Sequence, residues 1–415
     1  MVVYASRCLL PVSGPPVWDG AVAVDADRIS RCGPRAEVLA AAGGRARDLG
    51  QAVVFPGLVN AHTHLELSWL GDDPPAGGGY TGWVRALLRR REAPPASEIV
   101  LAAAESAARR MVARGTVALG DIGNEGWTPA LLADTELHAR CFLEVYSFRR
   151  ADAAPRLAEA ARRLEWLARD PRVRRAGERV RVCLTPHAPH TTSEPLLRAL
   201  AERARDRSAP LSIHVAESAD EVDLLRDGSG PFAALLVERG MWDGGWAPPG
   251  RTPLAQLAHA GALTPRTLAV HCVKLAAADV ELLRASGATV VSCPRSNRRL
   301  GVGTAPVERL IAAGVPVALG TDSLASAPDL DLFGEMAAMR EAHPLVPASA
   351  VLRMATLNGA LALGLDERLG SVEPGKLARL NVVPLTAPDS DPHEVLCSFP
   401  RQVHALSQAP WEPLR

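Results

Sequence analysis

From Val53 to about Leu365 the chain repeats one unit: a short apolar strand, a polar loop, then a helical stretch rich in Ala, Leu and Arg. The strands read as 53–60, 116–121, 140–147, 180–187, 211–217, 267–273, 288–293 and 316–322. Helical stretches between them include 98–114, 155–169, 194–207 and 276–286. A strand that returns through a helix comes back parallel, so this alternation predicts parallel strands under helical crossovers. Eight such units predict an α/β fold of the TIM type, a closed (β/α)8 barrel. An open doubly wound sheet is the alternative. No GxGxxG or P-loop follows any strand, which removes the usual nucleotide-binding reason for that second fold.

The flanks have a different grain. Residues 1–52 alternate apolar and polar, as in Ala21-Val22-Ala23-Val24-Asp25, and residues 366–415 read as short strands and turns. Both predict β-structure, so the two ends are expected to form one small β-domain beside a catalytic barrel of residues 53–365. Two long loops rich in Gly and Pro, 71–80 and 241–253, have the character of lids over a barrel mouth.

Formal net charge is +0 over 415 residues, so the chain carries no electrostatic signature of a nucleic-acid or anionic-membrane partner. Its seven cysteines show no CxxC pair and several sit in apolar strands, the pattern of core thiols in a reducing compartment. No run reaches transmembrane length and no leader pattern opens the chain, so the expectation is a cytoplasmic enzyme of a small molecule, with a homo-oligomer possible.

The histidines carry the chemistry. His62 and His64 sit two apart at the end of the first strand, and residues two apart in a strand share a side. His187 ends the fourth strand with His190 just beyond, His214 lies in the fifth and His271 in the sixth. In a barrel all of these approach the C-terminal mouth, where barrel enzymes place their sites. Asp322, at the end of strand eight, completes a shell with His62, His64 and His214. Three imidazoles and a carboxylate suit one divalent metal, zinc first with iron or manganese possible, and leave room for a water. Such an ion lowers the water's pKa toward neutrality. Glu217 follows His214 by three residues and is placed to carry a proton. His271 is a fifth ligand or a partner to water and substrate, the second being preferred because four ligands suffice.

Six segments in order carry a resemblance: Pro56-Gly57-Leu58-Val59-Asn60-Ala61-His62-Thr63-His64, Thr185-Pro186-His187-Ala188-Pro189, His214-Val215-Ala216-Glu217, Val270-His271-Cys272-Val273, Ser292-Cys293-Pro294-Arg295-Ser296-Asn297 and Gly320-Thr321-Asp322-Ser323. They resemble the amidohydrolase superfamily, in its cytosine-deaminase-like branch of aminohydrolases and chlorohydrolases, over nearly the whole chain. The resemblance implies His62, His64, His214 and Asp322 as ligands of one metal and Glu217 as proton shuttle. It also implies His271 as water or substrate partner, Asp322 as a proton acceptor, His187 as a substrate contact, and a split β-domain. Binuclear members often bridge two metals with a carboxylated lysine at the end of strand four. Here that strand ends in His187 and no lysine precedes Lys274, which favours a mononuclear site.

Within the branch, His62-Thr63-His64-Leu65-Glu66-Leu67-Ser68 with Cys293-Pro294-Arg295-Ser296-Asn297 resembles the aminodeoxyfutalosine deaminases of menaquinone biosynthesis. That resemblance implies a 6-aminopurine nucleoside bearing a benzoate. Trp83 and Tyr80 are candidates for ring stacking, Glu66 for ribose hydroxyls, and Arg149, Arg150 or Arg295 for the carboxylate. The alternatives are deamination of adenosylhomocysteine, methylthioadenosine, adenosine or guanine, opening of a cyclic amide as imidazolonepropionase does, and a metal- or ligand-binding barrel without turnover.

Overall fold

The computed structural model describes residues 1–43, 45–71, 77–385, 387 and 390–406. The chain divides into two compact units, one of Met1–Ala61, Arg109–Ala118 and Asp331–Arg415, the other of His62–Ala108 and Leu119–Leu330.

The first unit carries a seven-stranded sheet whose strands come from both ends of the chain. Val2–Leu9 pairs antiparallel with Val17–Asp25 and parallel with Ala46–Asp48 and Ala52–Pro56. Leu380–Pro384 lies antiparallel to Ala52–Pro56, with Val382 opposite Val54. The inward residues Leu9, Val22, Val54, Leu380 and Val382 form one buried cluster, which ties the C-terminal strand to the N-terminal ones through apolar burial.

The run 53–60, expected as one strand, is two. Ala52–Pro56 belongs to the seven-stranded sheet, and the chain changes sheets at Gly57. Pro56 has no N–H to give to a ladder, which suits a strand end. A Cβ at Gly57 would lie 2.3 Å from Val117 Cγ1, so only glycine fits at the change of direction.

The expected repeat is present as eight strands in two four-stranded sheets. The first sheet has β1 (Leu58–Thr63), β2 (Thr116–Gly123), β3 (His138–Val145) and β4 (Val180–Pro186) in that order. The second has β5 (Leu211–Val215), β6 (Thr267–His271), β7 (Thr289–Ser292) and β8 (Val317–Leu319). The pairings β3–β4, β5–β6, β6–β7 and β7–β8 are parallel. β1, β5, β6, β7 and β8 are buried along their whole length, as strands covered on both faces are. At the strand ends His214 N donates to His187 O at 3.0 Å, Thr321 N donates to His62 O at 3.0 Å, and Thr63 bridges Asp322 in parallel. The helical stretches fall at Ser97–Ala113, Ala153–Ala168, Glu194–Asp206 and Ala277–Ser286, close to where the sequence placed them.

Two further helices stand beyond the strand ends, α1 (Gly79–Glu92) and α2 (Pro231–Glu238). Tyr80 and Val84 from α1 pack on Phe232, Leu235 and Leu236 from α2. Arg85 grips Glu238 with two hydrogen bonds of 2.9 Å, and Arg239 pairs with Glu92 at 2.5 Å. The loop 241–253 has no helix or strand before Pro253, and its two tryptophans lie against Phe148 at 5.6 Å and 5.0 Å. Of the other expected lid, 71–80, residues 72–76 lie outside the described residues, and Gly79 and Tyr80 open α1. No described helix is long and apolar enough to cross a membrane.

Candidate metal and catalytic site

His62 is the fifth residue of β1. His64 lies just past its end and caps a short 3-10 turn, Leu65–Leu70, whose first amide donates to the buried Asp121 carboxylate at 2.9 Å. His214 is in β5 and His271 ends β6. The Nε2 atoms of His62 and His64 are 3.2 Å apart, and those of His64 and His214 are 3.3 Å apart. Asp322 Oδ1 lies 3.7 Å from His62 Nε2 and 3.5 Å from His64 Nε2.

These distances fit an ion. Ligands at about 2.0–2.1 Å from a tetrahedral centre are spaced about 3.3–3.4 Å from each other. Burial, reinforced by the neighbouring imidazoles, pushes His64 down to about 3 and His214 well below its ordinary range. Both rings are therefore neutral at pH 7, with lone pairs to offer. Burial raises the Asp322 carboxyl, but the imidazoles of His62, His64 and His271 outweigh it and hold the group well below the usual range. Asp322 Oδ2 accepts from Ser296 Oγ at 2.6 Å and Ser326 Oγ at 2.7 Å, which leaves Oδ1 facing the histidines.

Backbone strain marks the same place. Ala216, His271, Cys272 and Asp322 have φ of 52°, 74°, 49° and 59°, in the left-handed region that non-glycine residues rarely adopt. Such conformations cost on the order of 1–3 kcal/mol each and cluster at functional sites. Gly320, two residues before Asp322, packs on the first strand: a Cβ there would lie 2.8 Å from His62 Cβ and 2.9 Å from its carbonyl oxygen. Gly320→Ala is expected to displace His62, lowering stability by about 1–3 kcal/mol, as overpacking does. Thermal unfolding together with metal content checks this, and an unchanged Tm with full metal loading would refute it.

Glu217 leaves β5 and is buried beside the cluster. Its Oε2 accepts from the Tyr80 hydroxyl at 2.5 Å, and its Oε1 lies 3.6 Å from His271 Nε2. Burial, with the charge of Asp322 behind it, pushes this carboxyl up to about 8 against the opposing Tyr80 hydrogen bond. His271 Nδ1 is held by Asn297 Oδ1 at 2.9 Å.

A cavity opens over these groups. Its polar lining includes Glu66, Arg91, Asn124, Glu144, Tyr146 and His187, and its apolar lining includes Trp83, Val84, Leu87, Phe232, Leu235 and Met241. His187 is pushed down to about 3 by burial and nearby imidazoles, and its Nδ1 meets Thr191 Oγ1 at 2.7 Å. Trp83 lines the cavity beside Tyr80, with ring centres 5.7 Å apart. Glu66 also lines it, but both its oxygens accept the Asn124 amide, at 2.9 Å and 2.8 Å, and Oε2 takes the Glu125 amide at 3.0 Å.

The expected arginines are elsewhere. Arg149 donates to the Gly240 carbonyl, Arg150 N donates to Asp243, and Arg295 pairs with Asp329 at 2.7 Å; none of the three lines the cavity. The helix Pro294–Arg299 is the reason for Arg295. It aims Ser296 at Asp322 and Asn297 at His271, so Arg295, one residue before this pair, is turned to another side of the helix. The arginines that do line the cavity are Arg91 and Arg239. Ser296 and Asn297 stood inside a motif of the family resemblance, but no role was assigned to either from the sequence. Ser326, and the Tyr80 contact to Glu217, gave no sequence signal.

Parallel strands ending in a histidine–aspartate cluster, with a buried glutamate alongside, define a class of metal-site hydrolases. The chain belongs to the amidohydrolase family, whose pattern matches residues 53–405. It is 34% identical to a 5-methylthioadenosine/S-adenosylhomocysteine deaminase of Nitratidesulfovibrio vulgaris over 91% of this chain and 82% of that protein. Among solved structures it resembles an adenosine deaminase of Xanthomonas campestris with bound zinc, at 28% identity and a TM-score of 0.77 over 96% of this chain and 88% of that one. The fold also resembles an aminofutalosine deaminase of Helicobacter pylori, with a TM-score of 0.85 at 22% identity over 98% of this chain and 97% of that one. The protein is thus a hydrolytic aminohydrolase acting on carbon–nitrogen bonds, as its motifs implied.

Proposed function

We propose that this protein deaminates a 6-aminopurine nucleoside by hydrolysis, using one divalent ion, zinc, held by His62, His64, His214 and Asp322. The observation that carries the reading is the spacing of the three imidazole nitrogens, 3.2 Å and 3.3 Å, with Asp322 Oδ1 beside them and Glu217 within reach of the same space. When bound, the ion supplies Lewis acidity that makes a water acidic near pH 7. Glu217 moves the proton. A carboxyl raised to about 8 and held by Tyr80 is suited to protonate a purine ring nitrogen as the neighbouring amino-bearing carbon is attacked. His271, fixed by Asn297, hydrogen-bonds the attacking water or the developing hydroxyl. His187 contacts the base or ribose from the polar side, Trp83 stacks from the apolar side, and Glu66 shapes the ribose end through the amides it holds.

The eight strands close into a (β/α)8 barrel in this reading, with a small β-domain of residues 1–52 and 366–415 and the barrel over 53–365. Support comes from the hydrogen bonds between β4 and β5 and between β1 and β8.

The substrate is aminodeoxyfutalosine, an adenine nucleoside that carries a benzoate, which places the enzyme in menaquinone biosynthesis. The apolar wall suits an aromatic extension, and Arg239, which lines the same cavity and pairs with Glu92 through Nη1, has further N–H groups for a carboxylate. Methylthioadenosine and adenosylhomocysteine are the second reading, favoured by the 34% identity to a deaminase of that kind. Ammonia release from a panel of 6-aminopurine nucleosides decides. No ammonia from any of them would sink the deaminase reading, and opening of a cyclic amide without ammonia would replace it. Arg239→Ala should lower kcat/KM for aminodeoxyfutalosine relative to adenosine by roughly 10–100-fold, the worth of a charge-assisted hydrogen bond. Equal losses on both substrates would remove Arg239 from carboxylate recognition.

A further inference from the structure

The cavity wall holds a carboxylate that none of the proposed steps uses. Glu144, the seventh residue of β3, is 5% exposed. Its Oε2 accepts from Asn124 Nδ2 at 2.7 Å, and Asn124 Oδ1 in turn accepts from Arg91 Nη2 at 3.1 Å. Its Oε1 is buried, accepts no hydrogen bond, and lies 3.5 Å from His214 Nδ1. Leaving a buried carboxylate oxygen without a donor is costly, and burial accordingly pushes this carboxyl up to about 8.

The neighbour is His214. Its Nδ1 is 3.1 Å from the His187 carbonyl oxygen, which can only accept, so the proton of the neutral ring sits on Nδ1. Nε2 then presents its lone pair toward His64 Nε2 at 3.3 Å. A carboxylate behind the N–H of a ligating imidazole fixes its tautomer and orientation and makes it a better donor to a metal. We propose that Glu144, anchored by Asn124, is a positioning residue for the metal site and acts through His214. The inference rests on the metal reading above. A rival is that Glu144, His187 and His214, which lie within 4.8 Å of one another, hold an ion of their own. The Nδ1 proton of His214 argues against it, since that nitrogen has no lone pair to give.

Glu144→Gln is the discriminating variant. A glutamine offers one oxygen and one NH2. Given the donor at Asn124, its NH2 must face the His214 N–H, and the two donors repel. The expected result is a folded protein whose zinc affinity, read by chelator competition, is about 10–100-fold weaker, the usual cost of losing a residue behind a ligand. At saturating zinc any rise in KM for adenosine should be smaller than the loss of zinc affinity, because Glu144 is proposed to act through His214 while its Oε2 stays on Asn124. Unchanged zinc affinity, or a raised KM with unchanged affinity, overturns the proposal, the latter making Glu144 a substrate contact. Two zinc ions per wild-type chain overturn it in favour of the rival site. Wild-type protein that binds no zinc would instead fail the metal reading itself. If Glu144→Gln does not fold, Asn124→Ala frees the carboxylate from its anchor and should weaken zinc binding in the same direction by a smaller factor; an unchanged affinity there also refutes the role.

Discussion

Glu217→Gln should keep the fold and the ion while losing at least about 100-fold in kcat, the low end of what general acid–base catalysis contributes and equivalent to about 2.7 kcal/mol in the barrier. Glutamine matches the shape of glutamate and can still accept from the Tyr80 hydroxyl, which now sits at 2.5 Å. It cannot take up and release a proton. Rate measured beside metal content separates the outcomes. Metal loss would make Glu217 a ligand, and an unchanged rate would make it a bystander. Tyr80→Phe gives a graded comparison: the carboxylate loses one hydrogen bond but keeps its proton chemistry, so its rate should fall by less than that of Glu217→Gln.

His64→Ala should have the other large effect, on metal retention. His64 is the hub of the cluster, with Nε2 within 3.2 Å of His62, 3.3 Å of His214 and 3.5 Å of Asp322. On the proposed ligand set its loss removes one ligand of four, so affinity should fall by more than the roughly 10–100-fold typical of residues that only support a ligand. Wild-type protein should carry about one ion per chain, as a single catalytic site requires, and the variant well below that after dialysis, with activity lost in proportion. Full occupancy and normal turnover in His64→Ala would remove it from the site. The test is clean because His64 sits just beyond the end of β1 and makes none of its ladder.

The histidine–aspartate cluster was legible in the sequence because its members sit at or next to strand ends. There the alternation of sides is local, so His62 and His64, two apart, share a side whatever the rest of the chain does. His214, His271 and Asp322 became legible together because parallel strands all run toward one edge of their sheet. Glu217 was read from its distance to His214. Residues on helices and loops did not yield in this way. The direction of Arg295 depends on the turn of Pro294–Arg299, which gives Ser296 and Asn297 the inward face. Glu66 lines the cavity, but its lone pairs go to backbone amides of 124 and 125, far away in sequence.

The amino-acid sequence by itself determined the repeating strand–helix units, the histidine and aspartate set, and the family, because these depend on local periodicity and on residue identity. Tertiary structure alone decided where the run 53–60 breaks, since the space at Gly57 is set by Val117 on another strand. It also decided which arginines reach the cavity, that Tyr80 holds Glu217, and that Glu144 stands behind His214. Each of these is a contact between residues distant in the chain, and the direction of such a side chain is fixed by packing and not by its neighbours in sequence.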